Sequence, residues 1–572
     1  MFDYTKFIKP EEFISLDGGI PTASFFPRTY ASQLWLYKTG ASAAFIHIAE
    51  TDGFYTLTVR YTLVNDAPDK GVLFGEFGEE AVDFAACTAE YYTVNDTQAQ
   101  NYKVVRARLW LKRGENRIGV RIRGKAGGGL LIDALSVSRG ELSGLREPVY
   151  DVYSFGAVGD NINDDSKPIQ KAIDRCAVTG GSVLLRDGVF RASGLRLKSG
   201  VTLYVDKTAM ICGQDTHEKY AHILPEKVTL QLPTYSRGCY ALIYADGAED
   251  FAITGGGVIS ANGECEAFRS GAEQERPVVV WCSGCRDFRI TNVDIRDSGA
   301  WSVILYESER GIVDSVNIET PNHFNRDGID PNDSSHIYIT NSAIISGDDG
   351  ICPKSCSGVG VSDIHVRSCA ISSSANAIKL GTDSYARFVD CSFEDIVITH
   401  SMYSGISVGI SDGADVYNLR FSNIRLSRCT CAISVLAGGG IRARRPGGYP
   451  KKQGCVRDIR FERIHAANLT STFASHVDGS IVDGEVHRAE RITFSDCIFE
   501  CRGGYNGDIP ASPREYGGQY PDYNWCDPQL PAYGMYVRYG DSVKLENCEF
   551  KSILPDSRPA VIFEDCKDSG QV

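Results

Sequence analysis

The chain has 572 residues, 43% hydrophobic and 23% charged, so it can bury a large core and is ordinary for a soluble protein. Its net charge of −14 argues against broad binding to nucleic acid or to an anionic membrane. The first residues lack a basic start followed by an apolar run, and no stretch has transmembrane length, so a cytoplasmic setting is expected, or a secreted one if a leader preceded the numbering.

Residues 1–145 read as short alternating strands separated by turns. Phe54 to Tyr61 follows Asp52-Gly53, Asn116 to Ile122 follows a Gly-Glu turn, and Leu130 to Val137 closes the region. This is an all-β pattern and predicts a sandwich. The stretch around Ala49-Glu50-Thr51-Asp52-Gly53, with the later Gly114-Glu115-Asn116-Arg117 and Leu131-Ile132-Asp133-Ala134 segments, resembles carbohydrate-binding modules of families 6 and 35. Trp35 and Tyr37 are candidates for stacking on a sugar, or for packing inside the sandwich.

The character changes near residue 150, where a second domain, 150–572, is expected. Asp164-Asp165-Ser166 precedes an amphipathic segment with Ile169, Ala172, Ile173 and Cys176 on one face, read as a capped helix ended by Gly180-Gly181. Strand-like runs follow at Ser182 to Leu185 and Val201 to Val205.

Beyond residue 240 a nine-residue phrase recurs, ending at Ile295, Ile318, Ile344, Ile371, Ile398, Leu426, Phe499 and Phe550. The first five steps are 23, 26, 27, 27 and 28 residues. Each phrase alternates apolar and polar residues, so it reads as a strand. One such unit cannot bury its apolar side alone, whereas stacked units share a continuous core. The pattern predicts a parallel β-helix, with a β-propeller as the weaker alternative. The recurrent Asn292, Asn341, Asn423, Asp496 and Asn547 read as stacked turn residues. The 19 Cys, an odd number lying among predicted strands, suggest buried thiols rather than a disulfide framework. Cys282 and Cys285 form a C-x-x-C without the second pair or nearby His that zinc requires.

Two aspartate clusters stand one coil apart. Asn325-Arg326-Asp327-Gly328-Ile329-Asp330 is followed by Ser346-Gly347-Asp348-Asp349-Gly350-Ile351, so Asp327 precedes Asp349 by 22 residues. Stacked strands lie about 4.8 Å apart, which brings the carboxylates together. Like charges so close force some to bind a proton, and paired carboxyl groups are what glycoside hydrolysis uses. Strict alternation would send Asp348 and Asp349 to opposite sides, so for both to face solvent the chain must bend, with Gly347 and Gly350 supplying the freedom.

The order N-x-D-G-I-D, then S-G-D-D-G-I-x-x-K-S, resembles glycoside hydrolase family 28, the polygalacturonase and rhamnogalacturonan-hydrolase family. The likeness runs from about Tyr153 to the C-terminus and includes Leu530 to Arg538. It implies a right-handed parallel β-helix of the pectin-lyase type, hydrolysis with inversion and no metal or cofactor. Carried over by position, it implies Asp348 as the general acid, Asp327 and Asp349 as the water-activating bases, and Asn325 as an orienting residue. The family's G-H-G falls at Ala375-Asn376-Ala377 and its R-I-K at Ser407-Val408-Gly409, so the groups that hold a galacturonate carboxylate are replaced. Asn376, Lys379, Lys354 and Arg442, the last in the basic 441–445 loop, are the candidate substrate-binding replacements. Lys354 and Lys379 are equally candidates for pairing with the aspartates. Trp301 and His323 are candidates to line the cleft. The expected partner is an oligosaccharide or polysaccharide, cleaved in exo fashion if insertions such as residues 503–529 block the groove. A polysaccharide lyase, with the aspartates as a calcium site, and a non-catalytic glycan-binding protein are the alternative readings.

Overall fold

The computed structural model describes residues 4–8, 15–17, 19–23, 32–63, 69–85, 102–124, 129–139, 144–220, 222–224, 239–270, 275–438, 453–513, 515 and 529–572. The basic 441–445 loop, Arg442 included, and most of 514–528 lie outside them. No helix among the described residues is long and apolar enough to cross a membrane.

Residues up to Arg139 form two antiparallel sheets, one of six strands and one of five. In the strand Gly53–Leu63, Tyr55, Leu57, Val59 and Tyr61 alternate into the core between the sheets. Their period of two makes this strand one wall of a sandwich. Trp35 and Tyr37 are each half-buried and lie against one another, with ring centroids 5.1 Å apart.

The other side of that sheet rests on later strands of the chain through polar groups. Lys103 pairs with Glu319, the Val104 amide donates to Asn317 Oδ1 at 2.9 Å, and the Thr58 and Ser315 hydroxyls are 3.2 Å apart. Asp133, buried beneath them, accepts from Arg60 Nε at 2.8 Å and from Arg425 Nη2 at 3.1 Å. Burial pushes the Asp133 carboxyl up, but the two arginines outweigh it and hold it below the usual range. Asp133→Asn would leave two guanidinium groups short of their counter-charge. It is expected to lower stability by about 3–5 kcal/mol, read as a lower urea midpoint, and an unchanged midpoint would show the anchor to be dispensable.

From Val149 onward the strands pair in parallel, coil on coil, except for the short antiparallel pairings of His222–Ile223 with Cys239–Asp246 and of Ser480–Val482 with Glu485–His487. The helix Ser166–Thr179 buries Ile169, Ala172, Ile173 and Cys176 and covers the first coils. Its start differs from the expected cap. The Asp165 carboxylate turns away to accept from the Val158 and Gly159 amides, and Asp164 accepts from the Ser166 amide instead.

The repeated phrase stacks as its spacing requires. Ile295, Ile318, Ile344, Ile371, Ile398 and Leu426 are direct partners on successive coils, and the column continues through Ala466 to Phe499 and Phe550. Beside it, Phe393, Phe421, Phe461 and Phe494 stack with centroids 4.8, 4.9 and 4.6 Å apart, the spacing of the strands themselves. Many phrases are not one strand but two, meeting at a corner. Arg286–Thr291 and Asp294–Arg296 meet around Asn292, whose φ of 51° is left-handed. Asn341, Asn423, Asp496 and Asn547 take the same conformation, which Asn and Asp tolerate better than other side-chain-bearing residues. Neighbouring corners are tied by amide-to-carboxylate bonds, such as Asn423 Nδ2 to Asp395 at 3.1 Å and Asn547 Nδ2 to Asp496 at 2.7 Å.

A further strand of each coil forms a separate ladder that carries the aspartates. Val280, Val303, Ile329, Ile351, Ile378, Ile406 and Ile433 run up its inner side. All are buried, and the ladder's intervening side chains point outward.

Candidate active site

Two residues before Val303, Ile329, Ile351, Ile378 and Ile406 lies a second column: Trp301, Asp327, Asp349, Asn376 and Ser404. Backbone bonds pin its register, with the Ser302 amide donating to Asp327 O, Gly328 to Asp349 O, Gly350 to Asn376 O and Ala377 to Ser404 O. The 22-residue offset between Asp327 and Asp349 is therefore one full coil.

The chain does bend at Gly347–Gly350, which lies between strands. The glycines serve a different purpose from the one expected, because neither takes a positive φ. A Cβ at Gly347 would come within 2.1 Å of His323 O, and one at Gly350 within 2.5 Å of Ala377 O. These positions require glycine because neighbouring coils pass too close for a side chain. The bend also does not expose both aspartates. Asp348 is half-buried, whereas Asp349 is 3% exposed.

Each carboxyl group has a different environment. Asp349 Oδ1 accepts from the Asn376 amide at 3.1 Å and from its Nδ2 at 3.0 Å, and Oδ2 accepts from Lys379 Nζ at 2.9 Å. Burial pushes this carboxyl up, but Lys379, Lys354 and the Asn376 bonds outweigh it and hold it below the ordinary range. Asp327 Oδ2 accepts from Lys354 Nζ at 2.7 Å, and Lys354 also pairs with the fully buried Asp330. Burial raises Asp327 well above its usual value despite Lys354, with Asp330 and Asp349 adding repulsion, and raises Asp330 to about 6.

Asp348 has no lysine in direct contact among the described residues. Its Oδ2 accepts from the Asn325 amide at 2.8 Å, and its Oδ1 from the Asp349 amide at 3.0 Å. Burial and the nearby Asp327 and Asp349 charges push it up to about 7. Among these carboxyl groups only Asp349 is held below the ordinary range, while the half-buried Asp348 keeps a proton near neutrality, the division acid–base catalysis needs.

The residues expected to bind substrate occupy varied places. Lys354, Lys379 and Asn376 each contact an aspartate, and both lysines are buried. Trp301 is 6% exposed, with its ring 4.1 Å beneath Lys354 Nζ, so it supports the cation rather than presenting a face to solvent. His323 is half-buried, its Nδ1 3.1 Å from Arg276 Nη1. Tyr536 donates to Glu564 at 2.9 Å and Arg538 grips Asp478 with bonds of 2.9 and 2.8 Å.

Sequence reasoning gave no role to Asp330, Arg276 or Arg326. Asp330 stood within the first cluster, and alternation from Ile329 could have placed it on the outer side. The arginines carried no such signal. Arg326, fully buried, reaches Glu264 and Gly263 O on an earlier coil. Asp327, Asp330 and Cys352 lie close enough together to suggest metal ligands, but the Lys354 ammonium pairs with both carboxylates and already supplies their positive charge.

Comparison with known proteins agrees with this architecture. Residues 224–497 match the family described as glycosyl hydrolases family 28. The chain is 26% identical over 464 residues to a probable polygalacturonase of Vitis vinifera, covering 75% of this chain and 91% of that protein. It is 24% identical over 249 residues to an exo-poly-alpha-D-galacturonosidase of Dickeya chrysanthemi, covering 36% and 41%. The solved family 28 exopolygalacturonase of Yersinia enterocolitica shares the fold, with a TM-score of 0.59 at 15% identity over 98% of this chain and 100% of that one. With the parallel β-helix and the sequence match over the aspartate coils in agreement, this chain is a family 28-like glycoside hydrolase.

Proposed function

We propose that the chain is an inverting, exo-acting hydrolase of polysaccharide-derived oligosaccharides, with pectic fragments the first substrates to test. Asp348 protonates the leaving oxygen. Asp349 is the base that activates the water attacking from the opposite side of the sugar, and Asp327 beside it orients that water. The observation that carries this reading is the split between Asp348, raised to about 7, and Asp349, held ionised by Lys379. Inversion needs the acid and base about 6.5–9.5 Å apart so that water fits between them.

The far end of the ladder supports exo action. Its outward residues continue from Lys379 through Ser407, Ser434 and His476 to Tyr536. There the groove floor is covered. Ser512 donates to Glu564 at 2.7 Å, Arg538 to Pro513 O at 2.6 Å and Tyr539 to Glu515 at 2.7 Å. Tyr536 and Arg538 are consequently buried, which favours a glycan chain end being held at this side of the site.

The names of the relatives favour a galacturonan. Among the described residues, however, Lys354 and Lys379 are committed to aspartates, so a uronate carboxylate would need a cation from elsewhere, and Arg442 is the proposed source. A panel of pectic, rhamnogalacturonan and neutral oligosaccharides, followed by NMR, tests the whole reading. One or two sugars are expected to leave from a chain end, with the first product in the inverted anomeric form. A retained anomer, or an unsaturated product absorbing in the ultraviolet, would overturn it.

A further inference from the structure

The acid Asp348 is held by the backbone of a short loop, and that loop is held by a residue two coils away in the chain. Arg276 is 3% exposed. Its Nη2 donates to Asn325 Oδ1 at 3.1 Å and its Nη1 to Phe324 O at 2.9 Å. The guanidinium also lies 5.0 Å from the centre of the Phe324 ring. Three consecutive residues, His323, Phe324 and Asn325, are therefore gripped by one planar fork, whose geometry lysine cannot reproduce. Asn325 sits at a left-handed φ of 57°, a turn conformation that Asn tolerates. From there its amide donates to Asp348 Oδ2 at 2.8 Å.

We propose that Arg276 is a positioning residue for the general acid: it fixes Asn325 so that the Asn325 amide aims the Asp348 carboxyl at the leaving oxygen. The inference rests on the role assigned to Asp348 above. The charged groups acting on Asp348 are Asp327 and Asp349, which push its pKa up, and Lys379, which pulls it down. The Asn325 amide also pulls it down, by favouring the carboxylate. Loss of Arg276 frees the loop, weakens that bond and leaves the two carboxylates less opposed. The acid then holds its proton to higher pH but is poorly aimed.

The test compares wild type, Arg276→Ala, Arg276→Lys and Asp348→Asn in the full chain, reading kcat, KM, the pH profile of kcat and the melting temperature. Arg276→Ala is expected to lower kcat about tenfold or more, change KM less than threefold, and move the alkaline limb to higher pH. Arg276→Lys, which keeps the charge but loses the fork, is expected to fall between. If Arg276→Ala does not fold, Arg276→Lys alone must show the lowered kcat and the moved limb. A wild-type kcat and alkaline limb in the folded variants, with Asp348→Asn inactive, would overturn the role of Arg276 alone. An active Asp348→Asn would overturn the assignment of the acid itself.

Discussion

Asp348→Asn is expected to reduce kcat by about 10³- to 10⁴-fold while leaving the melting temperature close to wild type. The amide preserves the shape of the carboxyl group and can still accept from the Asn325 amide, giving up only the local bond from the Asp349 amide, so the bend at Gly347–Gly350 should survive. What it cannot do is give up a proton to a leaving oxygen. The pH dependence of the wild type follows from the same group. A general acid works only while protonated, and burial with two neighbouring carboxylates raises Asp348 to about 7. Turnover should therefore fall as pH rises through about 7. That alkaline limb should be absent from whatever activity remains in Asp348→Asn. Near-normal turnover in the variant would remove Asp348 from the mechanism.

Lys379→Met should affect both stability and rate. Lys379 is 2% exposed and its ammonium lies 2.9 Å from Asp349 Oδ2, which is itself buried. Removing one partner of such a pair leaves an uncompensated charge and is expected to cost about 3–5 kcal/mol. The other consequence is a change in titration. Lys379 is foremost among the groups that offset the burial of Asp349, so without it the Asp349 carboxyl rises. The base then ionises at higher pH, the acidic limb of the kcat profile moves up towards the alkaline one, and the maximum rate drops. Lys379→Arg, which keeps a cation, should retain more of both. A Lys379→Met protein with an unmoved acidic limb would show that Asp349 is held ionised by something else.

Much of the architecture was legible before any coordinates. The ends of the repeated phrases, from Ile295 to Phe550, name the members of one stacked column, because alternation and repeat length are sequence properties. The corner residues were legible too, since Asn and Asp are the side chains that tolerate a left-handed turn. The ladder carrying the aspartates was less visible. Val303–Tyr306 and Ile329–Asn332 are only four residues each, too short for a clear period. The glycines around Asp348 and Asp349 were recognised as necessary for the wrong reason. Crowding by His323 O and Ala377 O depends on how adjacent coils approach, which local conformational preference does not reveal.

Residue spacing alone decided that Asp327 and Asp349 would be neighbours, because an offset equal to one coil places them on adjacent strands whatever the side chains do. Spacing and residue type together therefore point to carboxylate chemistry. Which carboxyl group keeps its proton was decided only by the folded molecule. Lys379 and Asn376 arrive from the next coil to hold Asp349 ionised, while Asp348 meets backbone amides and like charges. Arg276, 49 residues before Asn325, joins the site only through the winding of the coils. Proton affinity depends on burial and on charges within a few ångströms, and that neighbourhood forms only once distant coils have stacked.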